Sequence, residues 1–460
     1  MLRTELRAVL RLAIPAALTQ VGAMMLGIVD AVMVGRVGVA ELDAAALGNL
    51  IGMGTMIFGM GCVFGMDPVA TQAEGAGNGD RVGRTLQRGI VLAVLCALPI
   101  MASWGVAAEA LRALGQDPEL SGEAGRYLSL QVFSVAPFLV FQAQRQYLQA
   151  RGIVAPALWV VLAANVFNIV ANWALIFGHL GFPAMGLEGA AWATGLSRVV
   201  QCIGLALWIR WRGLHRGAWV PWSAAAFELR GLREILAHGI PVGLQFGLEM
   251  WAFQGASLLA GLLGETPLAA HIIVLNLASV SFMLPLGVSI AAATRVGNLV
   301  GAGKFRAAQR SAWIALALGG SVMTGSAVIF ISAQHLLPRL FTSDPGVLAL
   351  AASLLPIAAA FQLFDGVQVV GGGILRGLGS TRPVAVFNLV GYYVLALPVG
   401  AALALTTDVG VAGLWWGLAM GLAVVSVCLV VWIARRGPAY QGAKRAAGGT
   451  EPSALALARE

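Results

Sequence analysis

The sequence predicts an all-α polytopic membrane protein of twelve transmembrane helices, built as two six-helix repeats. Three observations predict it. Hydrophobic residues make up 59% of the chain and charged residues 11%, against about 25% charged in soluble domains, and the mean hydropathy is +0.83. The apolar runs are continuous over roughly 20 residues, enough for a helix to cross a hydrocarbon core of about 30 Å. A barrel would instead alternate polar and apolar residues in segments of about ten. Finally, the chain returns on itself: Ile14-Pro15 reappears as Ile240-Pro241, 226 residues later.

In chain order the spans fall near residues 10–34, 44–70, 87–108, 124–147, 155–178 and 187–209 in the first half. Those of the second lie near 236–262, 269–293, 310–332, 350–373, 383–404 and 411–434. Arg3, Arg7 and Arg11 before an apolar run resemble a signal peptide, but the run exceeds a typical h-region and is copied later, so it is helix 1. Gly and Pro inside the spans fit membrane helices that pack closely or bend. The repeat continues beyond the first helix. Gly75-Ala76-Gly77 matches Gly301-Ala302-Gly303 and Arg84 matches Arg310 at offset 226. Arg151-Gly152 matches Arg376-Gly377 at 225, and Gly189 and Trp192 match Gly413 and Trp416 at 224. Six spans repeat as six in the same orientation, a plan of two parallel halves found in transporters.

Of the 29 basic residues, all but Arg36, Arg112, Arg126, Arg339 and the intraspan Arg198 fall on one side. The positive-inside rule makes that side cytoplasmic and puts both termini there, as an even number of spans requires. The expected organisation is an N-lobe at 1–211, a basic cytoplasmic linker at 212–233, a C-lobe at 234–436 and a disordered cytoplasmic tail at 437–460. The net charge of +8 sits in short loops, which argues against nucleic acid as a partner.

Three acids lie within spans: Asp30, Glu249 and Asp365. Asp67 lies near the end of span 2. An ionised side chain at a helix centre costs about 2.5–3.5 kcal/mol on insertion scales, so such residues point to function. A carboxyl group in low dielectric takes up protons more readily, and with neutral oxygen partners it can hold Na⁺. Asn168 and Asn172, at i and i+4, share one helix face in span 5, extended by Asn165. Structural alternatives stand beside these readings: snorkelling for Asp30, an ion pair between one acid and Arg198, and interhelical glue for the asparagines. At offset 226 Asp30 aligns with Ala256 and Glu249 with Ala23. The scaffold is duplicated while the charges are not.

Other features lead away from enzyme chemistry. Residues 297–304 resemble a P-loop, but their spacing departs from it, the final Ser/Thr is lacking and no strand precedes. The histidines at 179, 215, 238, 271 and 335 lack metal-ligand spacing. Cys62, Cys96, Cys202 and Cys428 lie in apolar context without CxxC spacing and read as small core residues. The many Met and Trp residues read as lipid or core contacts, some lining an adaptable pocket.

The chain resembles the multidrug and toxic compound extrusion (MATE) transporters, in the NorM-like branch. The resemblance rests on VDAVMVGRVG (29–38), MDPVATQAEGAG (66–77), QARG (149–152), NIVANWALIFG (168–178) and GLEGAAWATGLS (186–197) in the first half. The second half adds GLEMWAFQ (247–254), ATRVGNLVGAG (293–303) and FDGVQVVGGGILRGLGSTRP (364–383). It covers nearly all of 8–434. It implies two six-helix lobes in a V with alternating access, exporting organic cations in exchange for H⁺ or Na⁺. The family's helix-1 acid maps onto Asp30, with Asn168, Asn172 and Thr194 as its polar partners and candidate Na⁺ ligands. The helix-7 and helix-10 acids map onto Glu249 and Asp365, a substrate- and ion-binding pair. Some sodium-coupled members carry a tyrosine one turn before the helix-10 acid; here Phe361 stands there, which weakens a C-lobe Na⁺ site.

The expected protein is therefore an ion-coupled drug antiporter of the inner membrane, monomeric, without enzymatic activity and without a cofactor beyond its coupling ion. A flippase of lipid-linked sugars or an organic-acid exporter is the alternative. It would call for a basic interior, whereas these span interiors are acidic. A membrane-embedded enzyme would need a metal-binding acid cluster or a His-based motif at a membrane face.

Overall fold

A computed structural model of the protein describes residues 2–446. The part of the expected disordered tail at 447–460 lies outside the described residues. Every regular element among them is helical. The first half contains α1 (Leu2–Val34), α2 (Val39–Phe64), α3 (Met66–Gly75), α4 (Gly79–Gly105), α5 (Ala107–Ala113), α6 (Pro118–Gln131), α7 (Val135–Ala150), α8 (Ala155–Phe177) and α9 (Leu187–Trp211). The second contains α10 (Leu229–Leu262), α11 (Glu265–Gly301), α12 (Phe305–Ser332), α13 (Pro345–Leu378), α14 (Arg382–Asn388), α15 (Leu397–Thr406), α16 (Val411–Arg436) and α17 (Pro438–Ala446).

Prolines explain where single spans break. Pro68 lacks the N–H that would bond Phe64, and the second span parts at Gly65 into α2 and α3. Pro137 cannot bond Phe133, and a 3₁₀ turn at Val132–Ser134 separates α6 from α7. Pro398 cannot bond Val394, and Leu389–Ala396 winds as a π-helix between α14 and α15. Helix starts are repeated too. Asp117 and Asp344 cap α6 and α13, each followed by Pro at the first helical position, the arrangement that satisfies free N–H groups at least cost. Gly77 and Gly303, the repeat-related turn residues, both have φ +71°, a left-handed conformation that favours glycine.

Eleven helical segments among the described residues are long and apolar enough to cross a bilayer, with α2 and α3, α6 and α7, and α14 and α15 each forming one segment. The twelfth is α10, 34 residues long. Its apolar content is diluted by Gln245, Glu249 and Gln254.

Contacts divide the chain into two units, one of Thr19–Gly243 and one of Met1–Leu18 with Leu244–Glu460. The expected lobes begin at 1 and 234, whereas the units change over part-way along α1 and α10, shortly after Pro15 and Pro241. Small residues cause this. In the first unit Gly61 of α2 lies against the backbone of Gly243 on α10, and Gly65 against Gly239. The second unit repeats the pattern: Gly287 of α11 lies against Ala17 of α1, and Ala13 and Ala291 share one core cluster. Each of these pairs is related to its counterpart by the offset of 226. A larger side chain at such positions would hold the backbones apart.

The expected linker is held to the first unit. Gln87 Nε2 donates to the Val220 carbonyl at 2.8 Å, Tyr147 Oη to that of Ala218 at 3.0 Å, and Arg88 pairs with Glu228 at 2.9 Å. Its last residues are already helical, since α10 starts at Leu229. The expectation of a disordered tail from 437 is corrected at its start: 438–446 form α17. Pro438 opens that helix and is buried, the Ala439 N–H donates to Gln309 at 3.2 Å, and the Arg445 guanidinium lies 5.3 Å from the centre of the Phe305 ring. These anchors supply the tertiary partners that a short polar helix needs.

Candidate functional site

Within the first unit, α1, α8 and α9 meet around one carboxylate. Gly22 on α1 leaves room for α8: Asn165 Nδ2 donates to the Gly22 carbonyl at 2.8 Å. Two turns further along, Asn172 Nδ2 donates to Asp30 Oδ1 at 2.6 Å and to Asn168 Oδ1 at 3.0 Å. On the other side α9 approaches α8 because Gly189 faces the backbone of Leu175 and Ile176. That approach carries Thr194 to the acid, and its hydroxyl donates to Asp30 Oδ2. Asp30, Asn168, Asn172 and Thr194 are all buried. The four residues singled out in the sequence thus form one cluster, and a buried Asp30 is not snorkelling.

The cluster is rich in oxygen. Both Asp30 oxygens accept one hydrogen bond each, while Asn172 Oδ1 is buried and accepts none among the described residues. A carboxylate with amide and hydroxyl oxygens suits a proton or a hard cation. Arg198, one turn beyond Thr194, makes no ion pair with an acid among the described residues. Its Nη1 donates to Ser134 Oγ at 3.2 Å and its guanidinium lies 5.6 Å from the Phe138 ring centre. The 3₁₀ turn between α6 and α7 presents that serine. Asp67 is buried in the first turn of α3, where a negative charge complements the helix dipole.

The second unit builds a different cluster. Asp365 on α13 is buried and Glu249 on α10 half-buried. Gln368 joins them to a third helix: its Nε2 donates to Glu249 Oε2 at 3.2 Å and to Asn388 Oδ1 of α14 at 3.4 Å. Asp365 Oδ1, Gln368 Oε1 and the hydroxyl of the fully buried Tyr392 have no hydrogen-bond partner among the described residues. The Tyr392 ring lies 6.0 Å from that of Phe253, one turn after Glu249, and Phe361 lies 5.9 Å from the same ring. So Phe361 packs edge-on against Phe253 and Trp415, and a phenol comes from the π-helical stretch instead.

Gln368, Asn388 and Tyr392 were not singled out in the sequence. One signal existed for each: Gln368 stands at i+3 from Asp365, and Asn388 and Tyr392 are at i and i+4. The P-loop-like stretch forms the last turns of α11 and the turn into α12, without the strand such a loop follows.

Comparison with known proteins agrees with this architecture. The MatE family model matches residues 15–174 and 241–402, one match per repeat. The chain is 36% identical to the probable multidrug resistance protein NorM of Mesorhizobium japonicum, over 94% of each chain. It is 35% identical to multidrug and toxin extrusion protein 1 of Mus musculus, over 94% of this chain and 75% of that one. Its fold superposes on the crystal structure of the eukaryotic MATE transporter AtDTX14 with a TM-score of 0.89 and 25% identity, covering 96% and 98% of the two chains. With both repeats matched and 94% of this chain aligned to each of these relatives, this chain belongs to the MatE family, that of the MATE transporters.

Proposed function

We propose that the protein is a multidrug efflux antiporter, exporting cationic, amphipathic organic compounds in exchange for H⁺ or Na⁺. The observation that carries this reading is the Asp30 cluster: one buried carboxylate clasped by Asn172 and Thr194 of two other helices. Uptake of a proton or Na⁺ removes negative charge that both donors hold. The clasp between α1, α8 and α9 then loosens, so ion binding is coupled to helix position. The Glu249 and Asp365 cluster supplies negative charge beside the rings of Phe253, Phe361 and Tyr392. Attraction to the acids and the aromatic faces favours an organic cation. The reading places the protein in the inner membrane as a multi-pass monomer with both termini cytoplasmic, consistent with its basic residues.

The test is ethidium uptake into inverted vesicles, the equivalent of export from the cell, energised by a proton gradient alone and then by a Na⁺ gradient alone. One of the two gradients is expected to drive uptake, and Asp30→Asn is expected to abolish it at normal expression. Full uptake by Asp30→Asn would remove the coupling role.

A further inference from the structure

We propose that Cys62 and Cys96 together form a dithiol site for thiophilic metalloids, trivalent organoarsenicals being the fitting class. Cys62 lies near the end of α2 and Cys96 in the middle of α4, 34 residues apart in sequence. The fold of the first unit brings both side chains to the wall of one groove. Both are free and half-buried. They border a groove of about 340 Å³ whose remaining walls include Phe58, Pro99 and Ile100.

The chemistry of that groove selects a soft, apolar guest. Its two hydroxyls have their hydrogens committed. Ser103 Oγ donates to the Ile100 carbonyl at 2.7 Å. Thr55 Oγ1 donates to that of Ile51 at 2.9 Å and accepts from Trp104 Nε1 at 2.9 Å. A hydrated ion would find few free polar partners there, whereas sulfur is the preferred ligand of soft centres. The apolar walls suit an aryl group, which also carries such a reagent into the membrane. In the reaction an arsenoso group, R–As=O, meets two thiols. Two As–S bonds form, the As=O bond breaks, and both thiol protons leave with the oxygen as one water. No oxidation state changes, so no oxidant is needed. A ring through both sulfurs is held far more tightly than two separate As–S bonds, because the second sulfur is already in place.

The probe is phenylarsine oxide, added to the full-length protein in detergent, with the adduct read by intact mass. One phenylarsenic group per chain is expected, retained in excess 2-mercaptoethanol and released by 2,3-dimercaptopropanol. Cys62→Ser and Cys96→Ser are each expected to lose the monothiol-resistant adduct. Cys202→Ser and Cys428→Ser, in α9 and α16, are expected to keep it. Stripping of the wild-type adduct by the monothiol would overturn the proposal without any variant, as would an intact adduct in Cys62→Ser.

Discussion

Asp30 is held from two helices at once, and this sets what its neighbours are worth. A hydrogen bond to a charged group contributes about 1.5–3 kcal/mol. Thr194→Val keeps the side-chain shape and removes the hydroxyl that donates to Asp30 Oδ2. The expected outcome is ethidium efflux slowed by roughly 10-fold or more, with expression unchanged; efflux at the wild-type rate would show that the clasp does not matter. Tyr392 presents the opposite case. Its hydroxyl has no hydrogen-bond partner among the described residues although the ring is fully buried. Tyr392→Phe is therefore expected to leave the melting temperature in detergent unchanged or raised, because a buried unpaired polar group is costly. Tyr392→Ala removes the ring and is expected to cost about 3–5 kcal/mol. If Tyr392→Phe retains stability but loses efflux, the phenol serves transport and not packing.

Among the elements, close helix approach does the positioning. Gly189 lets α9 rest on the backbone of α8 at Leu175, and Thr194 lies five residues further along α9. Gly189→Val inserts a branched side chain where no space exists. It is expected to part the two helices and reduce efflux although no polar residue is changed; ethidium efflux together with a melting curve would separate this from simple unfolding. The caps offer a second test. Asp117 accepts from the Glu119 and Leu120 N–H groups at 2.9 and 3.0 Å at the start of α6, and Asp344 from that of Val347 at 2.9 Å at the start of α13. Asp117→Ala and Asp344→Ala are each expected to cost about 1 kcal/mol, seen as similar small drops in melting temperature. Unequal drops would argue against equivalent repeats at this position.

For the molecule as a whole, the asymmetry of basic residues is the testable property. In a cysteine-free background, Arg212→Cys is expected to react with a membrane-impermeant maleimide only from the cytoplasmic side, and Glu119→Cys only from outside. Both positions are exposed, so labelling from the opposite sides would invert the topology that the positive-inside rule assigns.

The sequence by itself determined the membrane class, the spans, the duplication and Asp30 with the two asparagines, while Thr194 was legible only through the family resemblance. The former depend on composition, on local helical periodicity and on residues that recur at a fixed offset. It also carried the helix starts, since Asp-Pro at 117–118 and 344–345 is a local signal. The tertiary structure decided what depends on two helices meeting. It placed the first turns of α1 and α10 in the other repeat's unit, through Gly287 on Ala17 and Gly61 on Gly243. It turned Tyr392 toward Phe253 by a π-helical winding, and it set Cys62 of α2 and Cys96 of α4 on one groove. Periodicity along one helix cannot reveal such pairings, because they follow from how closely two backbones approach. That distance is set by which small residues face each other once both helices are in place.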